Sequence, residues 1–250
     1  LGIFLYMLTI SIYVRLFPTV VPPPQKKGST KLISELHRSS TVIILFGVVM
    51  GGIYTGLFTA TEAASVGVAG AFLVALFRGK LRAGAFWDIM SETAAITAMI
   101  YVLILGGITI SFFFGITELP EFLARSVSLT NLPPLGIIGL LLLVYILLGA
   151  VMESFSIMVI TVPVVSGLIS GLGYDLVWWG IIMLVVVEIG LITPPFGINV
   201  FILKSIAGSD LPLTTVFRGV MPFVAADLLK LILLVLMPAL ILWLPSTMFN

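Results

Sequence analysis

The chain contains no cysteine, a single histidine and few charged residues, which make up 9% of the sequence. Without cysteine there are no disulfides, no thiolate metal sites and no cysteine nucleophiles. His37 stands in a basic connector far from any other candidate ligand, so we expect no histidine-based zinc site. The formal net charge is +1 and the basic residues stand in short loops, so nothing indicates a face that binds nucleic acid.

Apolar residues dominate the chain instead. They make up 60% of the 250 residues, and the mean hydropathy of +1.27 lies outside the range of soluble domains. Several apolar runs approach the length of about 20 residues that a helix needs to cross a bilayer. We therefore predict an all-α integral membrane protein, a polytopic helical bundle. Because the sequence opens inside an apolar stretch and not with Met, we expect it to be the later part of a longer polypeptide.

The apolar runs divide the chain into four predicted parts. Residues 1–40 hold the end of a transmembrane helix and a basic cytoplasmic connector, and residues 41–134 hold the scaffold or arm helices. Residues 135–206 hold two unusual segments, which we interpret as the transport elements, and residues 207–250 hold a connector and the final transmembrane helix. We expect membrane helices over residues 1–17, 41–58, 62–77, 85–114 (softly broken at Gly106–Gly107) and 220–244.

The first unusual segment, residues 135–170, is predicted to be a re-entrant helical hairpin. Its apolar halves, 135–150 and 156–170, have about 15 residues each, which is short for a crossing at about 1.5 Å per residue. The polar tip between them carries the carboxylate of Glu153 and the hydroxyls of Ser154 and Ser156. A polar turn at the membrane surface remains the alternative for the tip taken alone.

The basic residues support a hairpin that returns to its starting side. The positive-inside rule places three groups in the cytoplasm: Lys26, Lys27, Lys31 and Arg38; Arg78, Lys80 and Arg82; Lys204 and Arg218. The remaining loops then hold acidic residues and only Arg125. This assignment holds only if residues 135–170 enter and leave on the same side.

The second unusual segment, residues 177–206, is apolar but is interrupted by Thr193-Pro194-Pro195-Phe196-Gly197. Two consecutive prolines remove two backbone donors, so we predict that the helix breaks there. Non-helical backbone at membrane depth must line a cavity that is enclosed by protein or filled with water. Freed carbonyls suit a hard cation such as Na⁺, and the N–H groups that start the next half-helix suit an anionic substrate group. A proline kink within a packed bundle is the alternative.

The two segments together define the candidate site. The candidate cation ligands are Glu153, Ser154, Ser156, Thr193, Pro194 and Gly197. The candidate substrate contacts are Ser154, Thr193, Gly197 and Asn199.

Four further charged residues lie within or beside apolar runs. Glu188 precedes the break by one to two turns and is a possible supporting acid, a proton carrier or a partner inside the bundle. Asp227 and Lys230 are three residues apart on one helical face and are predicted to form a local ion pair. Glu62 is predicted to cap the start of a helix.

Two stretches resemble signatures of one transporter family. The stretch from Gly51 to Ala64 is similar to GGIYGGIFTPTEAA, and the stretch from Gly190 to Asn199 is similar to GLLTPPVGLN. Both signatures belong to the large membrane subunit of tripartite ATP-independent periplasmic (TRAP) transporters, the DctM-like proteins of the ion-transporter superfamily. Order and spacing agree over nearly the whole chain, which resembles the second of the family's two inverted repeats.

The resemblance implies a multi-pass, elevator-type symporter subunit in the bacterial inner membrane. A cation gradient, usually Na⁺, would drive uptake of an organic acid, with no cofactor beyond the coupling ion. The implied partners are a periplasmic substrate-binding protein, a small membrane subunit and the N-terminal repeat missing from this chain. Ions would be held at the tip of the hairpin 135–170 and at the unwound helix 177–206.

The chain departs from the family pattern at two turns. Ala60 stands where the family has a proline that would stiffen the turn before Thr61 and Glu62. The hairpin tip, often Asp-Pro-Thr in the family, begins with Glu153, which keeps the acid on a longer side chain. Phe155 replaces the threonine, so the hydroxyls of the neighbouring serines are the substitutes we expect.

Other classes of function are weighed against transport. An ion channel would need a continuous polar pore, yet the hydrophilic residues are confined to the two breaks. An enzyme would need a catalytic pair, and the chain offers one loop histidine and no metal motif, so we expect no enzyme. A non-transporting structural membrane subunit remains open, as does the identity of the substrate.

Overall fold

The computed structural model describes residues 1–18, 32–81, 83–194, 197–208 and 211–248, and within these ranges the chain is all-α. The helices in chain order are α1 Gly2–Leu16, α2 Leu32–Tyr54, α3 Ala60–Phe77, α4 Ala83–Ile116, α5 Leu119–Leu129, α6 Pro134–Val151, α7 Ser154–Gly171, α8 Leu176–Ile192, α9 Ile198–Ala207, α10 Leu213–Leu236 and α11 Ala239–Met248. The predicted linker Pro22–Pro24, the basic residues Lys26, Lys27, Lys31 and Arg82, and Asp210 lie outside the described residues.

Five of the described helices are long and apolar enough to cross a membrane: Ala60–Phe77, Gly84–Ile116, Pro134–Val151, Ser154–Gly171 and Leu213–Leu236. Their outward faces carry large hydrophobic side chains, as expected where lipid replaces water. The chain is a polytopic helical membrane protein, as the composition predicts.

Two compact units divide the chain, and one of them comprises residues 22–99 and 244–250. Within it α2 packs against α3, and the Arg78 guanidinium donates to the Thr41 hydroxyl at 2.8 Å. A capping box starts α3: the Thr59 hydroxyl accepts from the Glu62 N–H, and the Glu62 carboxylate accepts from the Thr59 N–H at 2.8 Å. The prediction that Glu62 is a capping acid is confirmed.

The other unit comprises residues 1–21 and 100–243, and its core is built around α8. This helix packs against α6, α7 and α10, and its side chains from Trp178 to Ile189 include the most deeply buried of the unit. The Trp178 indole N–H donates to the Leu234 carbonyl of α10 at 3.1 Å. A hydrogen bond of 2.7 Å between the hydroxyls of Tyr145 and Thr161 joins α6 to α7. Both bonds satisfy polar groups that lipid could not.

A charged cluster joins α1 to α10 in the same unit. Lys230 Nζ lies 2.6 Å from Asp227 Oδ1, which confirms the predicted ion pair. The Tyr6 hydroxyl of α1 donates to the other Asp227 oxygen at 2.6 Å, and the ammonium lies 5.8 Å from the centre of the Tyr6 ring. Asp227 is 4% exposed, so both of its oxygens are buried with donors already in place. The sequence gives no signal for Tyr6, because its partner is far along the chain.

The structure corrects two predicted helix boundaries. Helix α4 runs unbroken for 34 residues through Gly106 and Gly107, where we expected a soft break. Glycine in a helix interior costs only about 1 kcal/mol relative to alanine. The helical turns on both sides of the two glycines stabilise the helix enough to offset this cost. The final segment, expected as one helix over residues 220–244, is two helices separated at Met237. Pro238 excludes its predecessor from the helical region, and Met237 has φ −126° and ψ 72°.

The length argument for the hairpin is also wrong. Helices α6 and α7 have 18 residues each, not about 15, because Pro134 starts α6 and the Glu153 cap starts α7 at Ser154. A helix of 18 residues spans about 27 Å, close to the hydrocarbon thickness of about 30 Å. Length therefore does not distinguish a re-entrant hairpin from two crossings, and re-entry stays a prediction supported by the charged loops.

The buried ion pair generates a prediction about stability. Lys230→Met leaves the Asp227 carboxylate buried with Tyr6 as its remaining donor, so we expect the free energy of unfolding to fall by about 3–5 kcal/mol. The double variant Asp227→Leu/Lys230→Met removes both charges, so its free energy of unfolding should fall by less than that of the single variant. Thermal unfolding of the purified protein in detergent measures both.

Lys80→Met is the control, because this exposed lysine lies outside the cluster. It should leave the unfolding temperature nearly unchanged. If the double variant loses more stability than Lys230→Met, the expectation is wrong, and the ion pair stabilises the fold beyond the cancellation of two buried charges.

Candidate functional site

The hairpin tip is a two-residue connection between helices. Helix α6 ends at Val151, and Met152 and Glu153 are extended, with ψ 156° and 140°. Helix α7 then begins at Ser154. Because the connection has only two residues, the free carbonyls at the end of α6 and the free N–H groups at the start of α7 lie close together.

Glu153 is the N-cap of α7. Its Oε2 accepts from the Ser156 N–H at 3.0 Å, and the Ser156 hydroxyl lies 3.4 Å from the same oxygen. The carboxylate is exposed, while Ser154 and Ser156 are half-buried. One carboxylate oxygen is thus held by the helix start, and Oε1 has no hydrogen bond to another described residue. The capping bond fixes the acid at the tip in one orientation.

The break in the second segment begins at Thr193, where the backbone leaves the helix with φ −91° and ψ 135°. The Thr193 N–H bonds to the Gly190 carbonyl at 3.1 Å, and its hydroxyl donates to the Ile189 carbonyl at 2.5 Å. The carbonyl of Leu191 loses its helical partner because residue 195 is proline. The end of α8 therefore presents carbonyl oxygens and a half-buried hydroxyl oxygen that can still accept.

Gly197 turns the chain into α9. Its φ of +51° and ψ of +67° are left-handed, a conformation that glycine adopts readily and other residues adopt at a cost. The residue is buried, and a Cβ there would lie 3.3 Å from the Thr193 carbonyl oxygen. That carbonyl therefore faces across the break. Pro195 and Phe196, between these two residues, lie outside the described residues.

Two glycines bring the hairpin tip at Glu153 and the helix break at Thr193 to the same end of the unit. A Cβ on Gly149 of α6 would lie 2.7 Å from the Val187 carbonyl oxygen and 3.2 Å from the Gly190 Cα of α8. The two backbones are thus in direct contact, four residues before Glu153 and three before Thr193. The ring contact of Tyr145 with Trp179, one or more turns earlier in both helices, shows that α6 and α8 run parallel.

The remaining candidate residues take different positions. Pro194 and Asn199 are exposed, with Asn199 in the first turn of α9, where N–H groups lack helical partners. Glu188 is exposed on α8 and has no hydrogen bond or ion pair with another described residue.

Gly149 and Gly190 are the residues that sequence reasoning missed. Each stands within an apolar helix a few residues before a polar break, and small residues at such positions let helices approach closely. That shared spacing was the available signal. The described residues contain no group of three or more His, Asp or Glu side chains that could hold a metal ion.

Comparison with known proteins decides the family. The family model described as "Tripartite ATP-independent periplasmic transporter, DctM component" matches residues 1–240. The chain belongs to this family. This assignment confirms the family that the two signature stretches predict. The Pro-broken helix and the hairpin therefore belong to a component of a known class of transporter.

Individual relatives agree with this assignment. The chain is 29% identical over 241 residues to the C4-dicarboxylate TRAP transporter large permease protein DctM of Pseudomonas aeruginosa, covering 96% of this chain and 56% of the relative. It is 30% identical over 231 residues to the sialic acid TRAP transporter large permease protein SiaM of Vibrio cholerae, covering 90% and 52%. It is 29% identical over 205 residues to the ectoine TRAP transporter large permease protein TeaC of Halomonas elongata, covering 81% and 47%.

The DctM-family chain spans about half the length of the curated relatives it matches. These relatives are named as permeases and not as enzymes, in agreement with the expectation from the residues.

The glycine contact predicts a sharp difference between two alanine substitutions in α8. In Gly190→Ala the new Cβ would lie 2.6 Å from the Gly149 Cα, so the helices must separate, and we expect a loss of about 1–3 kcal/mol in stability. Gly180→Ala on the same helix meets open space and should be neutral or stabilising by up to about 1 kcal/mol. Thermal unfolding in detergent measures both; equal effects would refute the close contact.

Proposed function

We propose that this chain is part of the large membrane subunit of a secondary active transporter that couples a cation gradient, with Na⁺ as the coupling ion, to uptake of an organic acid. The observation that carries the proposal is the contact of Gly149 with Gly190, because it unites two interrupted helices at one place. Interrupted helices at membrane depth are where transporters hold ions and substrates.

The chemistry of the end of α8 favours a hard cation. Carbonyl oxygens carry partial negative charge, and the C-terminal end of a helix adds the negative end of the helix dipole. The Thr193 hydroxyl already donates its proton to the Ile189 carbonyl, so its oxygen is available as an acceptor. Across the glycine contact, the hairpin tip adds the Ser156 hydroxyl and the free Oε1 of Glu153. These groups form an oxygen-rich set suited to Na⁺.

The start of α9 favours an anionic group. Its first turn presents N–H groups without helical partners, and Asn199 adds an amide that can donate or accept. The positive end of the helix dipole then faces the same break as the carbonyls of α8. Cation and substrate carboxylate would therefore bind next to each other, and each would lower the electrostatic cost of binding the other.

The substrate class is proposed from the family. Two of the relatives are named for C4-dicarboxylates and sialic acid, and a third for ectoine, so the site chemistry serves ligands of different shape. An organic carboxylate fits the half-helix start described above.

The proposed assembly follows the family as well. A periplasmic substrate-binding protein would deliver the ligand, a small membrane subunit would pack alongside, and an N-terminal repeat would complete the site. We place the assembly in the bacterial inner membrane and propose an elevator-type movement of residues 135–206 during transport.

Removal of one oxygen tests the cation ligands. In Thr193→Ala and Ser156→Ala transporters reconstituted with their partner subunits, we expect the Na⁺ concentration for half-maximal uptake to rise about tenfold, equivalent to about 1.4 kcal/mol. Thr109→Ala is the matched control, because its hydroxyl makes the same bond to a carbonyl four residues earlier, at 2.9 Å, within the unbroken α4. An unchanged Na⁺ response in both site variants would remove them from the ligand set.

Glu153→Gln separates the charge of the tip from its capping bond. The amide oxygen can still accept from the Ser156 N–H, so the unfolding temperature should change little. The Na⁺ response should weaken if the free carboxylate oxygen contacts the ion. Glu153→Ala, which removes both functions, should in addition lose about 1 kcal/mol of stability. A Na⁺ response that survives in Glu153→Gln would restrict Glu153 to capping.

A further inference from the structure

A long apolar groove runs between α1 and α10. It encloses about 370 Å³, within the range of about 300–1,000 Å³ typical of small-molecule sites. Its walls include Leu8, Ile12 and Leu16 of α1 and Pro222, Ala225 and Leu229 of α10. None of the residues that line the groove is charged.

Two arginines extend the walls of this groove at one end. On α1, Leu8, Ile12 and Arg15 follow at the spacing of one helical face. On α10, Arg218 precedes Pro222 by four residues and lies on the face that Ala225 and Leu229 continue.

Antiparallel packing places both arginines at the same end. Tyr6 near the start of α1 bonds to Asp227 in the second half of α10. Residues late in α1 meet residues early in α10, since Tyr13 and Gly219 line one small cavity. The C-terminal end of α1, with Arg15, therefore lies beside the N-terminal end of α10, with Arg218.

Both guanidinium groups are exposed, and neither forms an ion pair or hydrogen bond with another described residue. Asp210, the acid nearest in sequence to Arg218, lies outside the described residues. The other end of the groove is electrically balanced by the Asp227–Lys230 pair. One end of the apolar groove thus carries two positive charges.

We propose that this groove binds an anionic phospholipid, with its phosphate between Arg15 and Arg218 and one acyl chain between α1 and α10. Arginine forms paired hydrogen bonds with phosphate, and basic sites between membrane helices on the cytoplasmic side recognise anionic headgroups. The positive-inside rule assigns the connector after α1 and the loop before α10 to that side. The lipid would cover the seam beside the Tyr6–Asp227 bond.

Native mass spectrometry of the intact protein in neutral detergent tests the proposal. The protein is exposed to equal amounts of phosphatidylglycerol and phosphatidylcholine with identical acyl chains. We expect phosphatidylglycerol to be retained about tenfold more than phosphatidylcholine. In Arg15→Gln/Arg218→Gln the ratio should fall to about one. Lys80→Gln, which removes a positive charge from the other compact unit, should keep the wild-type ratio.

A second pair of variants tests the acyl-chain groove. Ala225→Phe fills the groove and should lower retention of both lipids several-fold, whereas Leu228→Phe, at an exposed residue of α10 that does not line the groove, should not. An unchanged lipid ratio in the arginine variant, or an equal fall in the lysine control, would overturn the headgroup assignment. Wild-type retention in Ala225→Phe, or thermal stabilisation by inorganic phosphate as large as by phosphatidylglycerol, would overturn the groove as the lipid site.

Discussion

Hydrocarbon offers no hydrogen bonds, and this constraint governs the unit that contains α6–α10. A helix satisfies the hydrogen bonds of its own backbone, so each interruption must be shielded from lipid by surrounding protein. The contact between Gly149 and Gly190 supplies it, because missing side chains let α6 and α8 approach until no lipid fits between their ends. The polar breaks that follow in both helices are then flanked by protein on the side of this contact.

The acidic side chains of the same unit show the same constraint. Asp175 accepts from the Val177 N–H at 2.7 Å and caps α8, and Glu153 caps α7. Asp227 has both oxygens occupied by Tyr6 and Lys230. Glu188 differs, because it is exposed and has no hydrogen bond or ion pair with another described residue. A carboxylate in that position carries an uncompensated cost that a proton, a cation or a neighbouring chain would relieve.

Local chemistry was predictable from the sequence, whereas long-range packing was not. The break at Thr193–Gly197 follows from two missing N–H donors, and the Asp227–Lys230 pair follows from helical spacing. Helix ends were displaced where a cap or a proline acted beyond the apolar run, as at Ser154 and Met237. The convergence of Gly149 with Gly190 depends on how α8 inserts beside α6, which neither composition nor periodicity specifies.

Helix α4 has a consequence for the thickness of membrane that the protein tolerates. Its apolar span Gly84–Ile116 has 33 residues, about 50 Å of helix against a hydrocarbon layer of about 30 Å. Tilt alone would have to exceed the usual limit of about 40°. The excess belongs at the N-terminal end, where Asp88 and Glu92 need water and exposed Trp87 suits the headgroup layer. The surplus is about 20 Å, nearly four turns at about 5.4 Å each, so a thicker bilayer can be spanned by the apolar residues that follow Glu92 in α4.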